Sequence, residues 1–231
     1  MEINQSAYRK GHSVETAVLS VMDGLLTNSD RKMVSCVALL DLSAAFDTLD
    51  HHILLKRLEM SFGIRGTVLD WFSSYVSERF QSVNIKGVMS DPCPLLYGVP
   101  QGSVLGPVLF TLYSQPLSDV IIQYNCQFHK YADDTELSQC GLPENFECTK
   151  QSVLDCIRAI LVWMDSNKLM LNTEKTEVLT VGSASRVEKV DTFRILIRPS
   201  LFRILSSISV SGWIKHYPWL TTLATSVVLY F

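Results

Sequence analysis

Residues 131–134 read Tyr131-Ala132-Asp133-Asp134 and place two carboxylates side by side. Neighbouring side chains on a strand point to opposite faces, so both carboxylates reach one site only if the pair lies in a turn. The sequence therefore predicts a tight hairpin with the two aspartates at its tip. Like charges held together are costly unless a cation neutralises them, and Mg²⁺ is the simplest cation for hard oxygen ligands. A solvated Asp-Asp turn is the alternative interpretation of the tetrapeptide alone.

A third carboxylate follows the most apolar stretch in the first half of the chain. Residues 34–42 form a near-continuous apolar run that predicts a buried strand, and Asp41 lies at its end. An acid there is costly unless it has a partner or a metal. If the strand ends beside the predicted hairpin, Asp41, Asp133 and Asp134 converge. Three carboxylates suit two divalent ions about 3.5–4 Å apart, the arrangement that serves in-line nucleotidyl transfer.

The remaining pattern alternates helices with short strands. Helical spacing begins after Ser13, returns after Asp47 or Thr48, and covers residues 145–168, while residues 178–181 read as a strand. The order is strand, helices, hairpin, helix, hairpin, helix, strands. It is compatible with an α+β fold of the split βαβ kind, in which an antiparallel sheet carries helices on one face.

Composition restricts the class of protein. The chain has 231 residues, of which 47% are hydrophobic and 19% charged, which is typical of a globular protein. Its net charge of -3 is weak grounds against nucleic-acid binding, because phosphate contacts need clustered Lys and Arg. The six cysteines lack metal-binding spacing, and no signal peptide or membrane span is recognised. We therefore expect free thiols and a nuclear or cytoplasmic location.

Four segments together resemble the palm motifs of reverse transcriptases encoded by non-LTR (LINE-like) retrotransposons. Each motif alone is modest support, whereas four in the right order are highly specific. The resemblance covers roughly Gln5 to Gly182, and the segment 5–13 is similar to the one just before the palm. The four motifs are Leu40-Asp41-Leu42-Ser43-Ala44-Ala45-Phe46-Asp47-Thr48-Leu49-Asp50-His51, Gly98-Val99-Pro100-Gln101-Gly102-Ser103-Val104-Leu105-Gly106-Pro107, Tyr131-Ala132-Asp133-Asp134 and Trp163-Met164-Asp165-Ser166-Asn167-Lys168-Leu169 with Asn172 and Lys175-Thr176-Glu177.

The resemblance implies an RNA-directed DNA polymerase that uses two Mg²⁺ ions, with Mn²⁺ as a substitute. Asp41 and Asp133 would be the principal metal ligands, helped by Asp134 and by the Leu42 carbonyl. Lys175 would donate a proton to the leaving pyrophosphate or act as its positively charged partner. A solvated turn lysine is an equal alternative for Lys175. The expected partners are an RNA template, a DNA primer and deoxynucleoside triphosphates.

The resemblance also implies residues that bind the substrate. Phe46 would exclude a ribose 2′-hydroxyl by steric clash, although core packing is an alternative role for it. Gln101 and Gly102 would lie against the incoming nucleotide and the template. Tyr131 and Ala132 would lie beside the primer end.

The predicted organisation has three parts. Residues 1–33 are interpreted as a remnant of the fingers and pre-palm segment, residues 34–182 as the palm, and residues 183–231 as a divergent, poorly specified tail without a recognisable thumb. Because little of the fingers and none of the thumb is recognised, we expect little primer extension from the isolated chain. A catalytically silent remnant that binds nucleic acid or protein is the alternative function. A different two-metal nucleotidyltransferase is a third.

Overall fold

A computed structural model describes residues 2–190, 194–198 and 201–205. Its helices are α1 (Val14–Asp30), α2 (His51–Met60), α3 (Thr67–Val76), α4 (Leu105–Ser114), α5 (Leu117–Ile122), α6 (Phe146–Ser166) and α7 (Ala184–Val187). Its strands are β1 (Val34–Leu40), β2 (Leu42–Ser43), β3 (Arg79–Gln81), β4 (Asn84–Ile85), β5 (Val88–Met89), β6 (Cys93–Leu95), β7 (Gln127–Tyr131), β8 (Asp134–Gly141), β9 (Met170–Leu171), β10 (Glu177–Val181), β11 (Arg194–Arg198) and β12 (Leu201–Leu205).

The chain divides into two units. The first contains residues 1–43, 117–163 and 171–231, and the second contains residues 44–116 and 164–170.

The first unit is built on an antiparallel sheet with the strand order β12-β11-β10-β1-β8-β7. All seven residues of β1 are buried, as its apolar run predicts. The strand pairs with β10 on one side and with β8 on the other. This position in the sheet explains why its sequence shows no polar face, since both edges and both faces are covered.

Helices cover both faces of this sheet. Helix α1 begins after the predicted cap Ser13, whose hydroxyl accepts a hydrogen bond from the Thr16 amide. It packs on the face of β1 that carries Val37 and Leu39. Cys36 points to the opposite face by strand alternation, and Lys150 of α6 opposes the rise that burial causes in the pKa of its thiol. Helix α6, which lies within residues 34–182, thus covers one face of the sheet. Helix α1, which precedes these residues, covers the other face.

The residues after Gly182 contain more structure than the sequence indicated. Strand β11 pairs with β10 through Glu177 opposite Leu196, and β12 pairs with β11. The sequence pattern of residues 183–231 indicates only a poorly specified tail and does not predict these two strands. The part of that interpretation that concerns residues 206–231 lies outside the described residues.

The second unit contains α2, α3, α4 and two short strand pairs, β3 with β6 and β4 with β5. Helix α2 begins at His51, where Asp50 accepts a hydrogen bond from the Ile53 amide at 2.9 Å. The predicted start at Asp47 or Thr48 is therefore wrong. The Phe46 and Leu49 carbonyls accept hydrogen bonds from the loop at residues 98–99, which keeps this segment out of the helix.

Arg57 joins separate parts of the second unit. Its guanidinium donates to the Tyr113 carbonyl and, at 2.5 Å, to Asn167 Oδ1, and it lies 4.9 Å from the centre of the Tyr113 ring. The Tyr113 hydroxyl donates to the Asn167 carbonyl at 2.5 Å. One half-buried cation thus ties α2 to α4 and to the segment after α6.

Replacing Arg57 with methionine is expected to lower the free energy of unfolding by about 2 kcal/mol. The variant leaves buried acceptors without their donor, and hydrogen bonds from a charged group contribute about 1.5–3 kcal/mol each. Guanidinium chloride denaturation measures the change. Lys56→Met alters an exposed lysine one residue earlier and should stay within about 0.5 kcal/mol of the unmodified chain. Equal losses in the two variants would contradict the role of Arg57.

Candidate active site

The Asp133-Asp134 pair lies on a tight hairpin, but only Asp133 is in the turn, so the prediction that both aspartates lie at the tip is wrong for Asp134. Strand β7 ends at Tyr131, β8 begins at Asp134, and these two residues pair across the ladder. Ala132 and Asp133 therefore form a two-residue turn. Ala132 has a φ of 58°, in the left-handed region that such turns require. A residue with a Cβ pays about 1–2 kcal/mol there, so the turn needs support from its surroundings.

Strand pairing brings Asp41 to this hairpin. Leu40, the last residue of β1, pairs with Thr135 of β8, so the chain enters Asp41 directly beside Asp134. The Asp41 side chain is only 16% exposed. Its Oδ2 atom is buried and has no hydrogen-bond partner. A buried carboxylate oxygen without a hydrogen bond is costly, and the Lys175 ammonium, 3.8 Å away, is an ion-pair partner beyond hydrogen-bond distance.

The three carboxylates act on one another electrostatically. Burial raises the pKa of Asp134 to about 7, and the charges of Asp133 and Asp41 add to the rise. Burial also raises the pKa of Asp133, with a further contribution from Asp41. Lys175 opposes both shifts. The site therefore carries an excess of negative charge in a partly desolvated position, which is the condition that favours a cation.

Lys175 is held beside Asp41 by an ordered turn. Asn172 donates its backbone N–H to the Asp41 carbonyl at 2.8 Å and accepts through its own carbonyl from Lys175 and Thr176. The Lys175 ammonium lies 3.8 Å from Asp41 Oδ2 although its side chain is 63% exposed. This contact favours a role at the site over the alternative of a lysine that only faces solvent.

The donor atoms at this site suit a hard divalent cation. Carboxylate oxygens are the ligands that Mg²⁺ takes from proteins, and Asp41 Oδ2 accepts no hydrogen bond. Among the described residues, no three His, Cys, Asp or Glu side chains are already arranged as a metal-ligand group. The residues present therefore fit the ion by the chemistry of their oxygen atoms and by their negative charge, and not by a ligand geometry that is already formed.

Two residues near the hairpin were not assigned a role from the sequence. Gln5 is fully buried and hydrogen-bonds the backbone of Ala132. Tyr8 lies close enough to the site that Asp133 and Tyr131, after burial, raise the pKa of its phenol. The only available signal was the resemblance of residues 5–13 to a pre-palm segment, which carries no information about contacts.

In the second unit, the loop that carries Gln101 and Gly102 is fixed to the segment that carries Phe46. The Gly98 and Val99 amides donate to the Leu49 and Phe46 carbonyls at 2.7 and 2.9 Å. His51 Nε2 hydrogen-bonds the Gly98 carbonyl at 2.7 Å, and Gln101 Nε2 donates to Asp47 Oδ1 at 2.7 Å. This loop borders a cleft of about 560 Å³.

Three substrate-binding candidates lie in this part of the chain. Gln101 and Gly102 are exposed, and Gly102 has a φ of 76°. Phe46 is half-buried, and its ring lies 4.9 Å from that of Phe110. Phe46 therefore has a packing role, and its half-exposed ring leaves the second role open.

An aspartate after a central strand, set beside an aspartate pair on the neighbouring hairpin of an antiparallel sheet, defines the palm of a nucleotide polymerase. The sequence model of the family described as reverse transcriptase (RNA-dependent DNA polymerase) matches residues 1–207. The chain belongs to this family, as its motifs predicted. The match continues beyond Gly182, where the resemblance seen in the sequence ended.

Relatives among characterised proteins come from transposable elements. The probable RNA-directed DNA polymerase from transposon X-element of Drosophila melanogaster is 31% identical over 142 residues, which are 59% of this chain and 15% of that protein. The RNA-directed DNA polymerase from mobile element jockey of the same organism is 26% identical over 185 residues, or 78% of this chain and 20% of that protein. The chain therefore spans about a fifth or less of these relatives.

Solved structures agree with the palm fold. Telomerase from Candida albicans, in complex with a fragment of telomeric RNA, superposes with a TM-score of 0.57 at 16% identity over 96% of this chain and 40% of that one. At this identity the similarity establishes the fold alone.

Within the described part of the chain, no helix is long and apolar enough to cross a membrane.

Proposed function

We propose that this chain is the palm of an RNA-directed DNA polymerase, which transfers deoxynucleotides to the 3′-hydroxyl of a primer on an RNA template. The observation that carries the proposal is the buried Asp41 Oδ2 atom, which has no hydrogen-bond partner and lies among the charges of Asp133, Asp134 and Lys175. A structural carboxylate would be expected to accept a hydrogen bond, whereas the Lys175 ammonium, at 3.8 Å, is an ion-pair partner beyond hydrogen-bond distance. A carboxylate kept for a cation would not need such a bond.

The proposed cofactor is a pair of Mg²⁺ ions, for which Mn²⁺ can substitute. Asp41, Asp133, Asp134 and the Leu42 carbonyl would hold them. Bound there, the ions lower the pKa of the attacking hydroxyl and neutralise charge on the phosphates. The fold keeps the carboxylates of Asp41, Asp133 and Asp134 partly buried. This desolvation strengthens their interaction with any cation.

Other side chains have proposed roles that do not involve the metal. Lys175, held by the Asn172 turn, supplies positive charge or a proton to the leaving pyrophosphate. Gln101 and Gly102 contact the nucleotide and the template, and Tyr131 and Ala132 lie beside the primer end. The telomerase relative was solved with RNA, which supports a nucleic-acid template for this fold. We further propose the domain limits 1–33, 34–182 and 183–231, and a nuclear or cytoplasmic location.

The test combines metal binding with chemistry on the whole chain. Mg²⁺ is titrated while the melting temperature is recorded, and single-turnover primer extension is followed on a primed RNA template. We expect Mg²⁺ to raise the melting temperature and to support slow incorporation, and Asp133→Asn to remove both effects. Template binding with no response to Mg²⁺ in either assay would overturn the polymerase proposal and leave a silent binding module.

Shortening Phe46 to valine is expected to relax sugar discrimination. If the ring excludes a 2′-hydroxyl, the ratio of ribonucleotide to deoxynucleotide incorporation should rise about tenfold to a hundredfold. Phe46→Val also loses contact with the Phe110 ring, so Phe110→Leu serves as the matched control for packing. The control should lose stability while its sugar preference stays unchanged. Equal shifts of the ratio in both variants would assign Phe46 to packing alone.

A further inference from the structure

The buried side chain of Gln5 binds both polar groups of one residue in the catalytic turn. Its Oε1 accepts from the Ala132 amide at 3.2 Å, and its Nε2 donates to the Ala132 carbonyl at 3.3 Å. Oε1 also accepts from the Ala7 amide at 2.9 Å. Two N–H donors on the same atom fix the orientation of the amide, because the reverse orientation would face them with an NH₂ group.

Ala132 is the residue of the hairpin with the strained backbone. It has a positive φ and directly precedes Asp133. The hydrogen bonds from Gln5 therefore hold both peptide units that flank the Ala132 Cα, and rotation of the second of them would swing the Asp133 carboxylate. A buried amide with partners at both ends restricts that rotation more than solvent would.

Gln5 is itself held by a short parallel pairing with β7. The Lys130 amide donates to the Asn4 carbonyl at 2.7 Å, and the Ser6 amide donates to the Lys130 carbonyl at 3.0 Å. The buried Lys130 ammonium binds Glu2 at 2.6 Å and Ser118 at 2.7 Å. The segment before α1 is therefore anchored to the hairpin at its backbone and through an ion pair.

We infer that Gln5 is a positioning residue for the catalytic turn, which acts through Ala132 to set the Asp133 carboxylate for metal binding. The presence of Mg²⁺ at the turn rests on the proposed function. The way in which Gln5 acts on the turn rests on the observed hydrogen bonds. It gives the segment 5–13 a role in the palm site. Groups that orient metal ligands from outside typically change metal affinity by 10- to 100-fold when they are removed.

The test measures Mg²⁺ affinity and turn mobility separately in the full chain. Gln5→Met keeps the length of the side chain but removes every hydrogen bond. We expect the Mg²⁺ dissociation constant, measured by calorimetry, to rise about tenfold. We also expect the Ala132 amide to exchange its hydrogen several times faster by NMR. If Gln5→Met does not fold, Gln5→Asn replaces it, because the shorter amide cannot span Ala132 and Ala7.

The matched control is Asn28→Ala. Asn28 is also a buried amide of the first unit, and it donates to Ser35 Oγ at 3.2 Å, away from the turn. Its loss should lower the melting temperature without changing Mg²⁺ affinity or exchange at Ala132. A Gln5 variant that behaves like this control overturns the inference. If the unmodified chain binds no Mg²⁺, the proposed function fails, and unchanged exchange at Ala132 in the Gln5 variant would refute the positioning role independently.

Discussion

Replacing Gly98 with alanine is expected to lower the free energy of unfolding by about 3 kcal/mol or more. The φ of Gly98 is +84°, where an L-residue pays about 1–2 kcal/mol. A Cβ there would also lie 2.9 Å from the Asp47 carbonyl oxygen and 3.0 Å from that of Phe46. Backbone atoms cannot rotate away as a side chain can, so the overpacking adds about 1–3 kcal/mol.

Gly102 provides the matched control for Gly98. It has a φ of +76° in the same loop, but an added Cβ would meet nothing within 4 Å. Gly102→Ala should therefore cost only the backbone strain, about 1–2 kcal/mol. Chemical denaturation of the two variants separates strain from clash. Losses of equal size would show that the loop moves to make room for the Cβ. The close packing of Gly98 against the Phe46 segment would then contribute nothing to the cost of the substitution.

Replacing Asp133 with asparagine is expected to reduce Mg²⁺-dependent incorporation by at least about a hundredfold. Removal of a group that only hydrogen-bonds a metal ligand already lowers metal affinity or activity by about 10- to 100-fold, and loss of a ligand should cost at least as much. The same variant should be more stable in the absence of metal. It removes one of three mutually repelling, partly buried carboxylates, and the charge of Asp133 is one of the two that raise the pKa of Asp134. A gain of about 1 kcal/mol is expected, in line with the general trade-off between active-site charge and stability.

The opposite signs of these two effects make the prediction specific. Primer extension measures the loss, and thermal unfolding in chelator measures the gain. Asp23→Asn neutralises an exposed aspartate on α1 and should change neither quantity appreciably. If Asp133→Asn destabilised the metal-free chain, Asp133 would be a structural residue, and the carboxylates would not form a repulsive cluster.

Parts of the site were predictable because they depend on local patterns. Strand β1 was recognised because a strand with both faces covered shows an unbroken apolar run. The hairpin was recognised because adjacent aspartates cannot share a site on a strand. The start of α2 was missed because it is set by hydrogen bonds from the distant loop at residues 98–99, and sequence spacing carries no such information.

Gln5 and Lys175 illustrate the same limit. Gln5 lies 127 residues before Ala132, and its fully buried amide is explained only by the pairing of the N-terminal segment with β7. Lys175 reads equally well as a solvated turn lysine until the Asn172 turn places it 3.8 Å from Asp41. Long-range contacts of polar side chains leave no periodicity in the sequence, unlike the apolar faces of helices and strands.

Motifs and patterns in the sequence were enough to predict the family, the buried strand that leads into Asp41 and the tight hairpin that carries Asp133 and Asp134. Those features follow from motif order, apolar runs and the alternation of side chains along a strand. The folded chain alone shows that β1 and β8 pair so that Asp41 meets the turn, that its Oδ2 atom accepts no hydrogen bond, and that Gln5 holds Ala132. These depend on register and burial, which arise from packing across the whole fold.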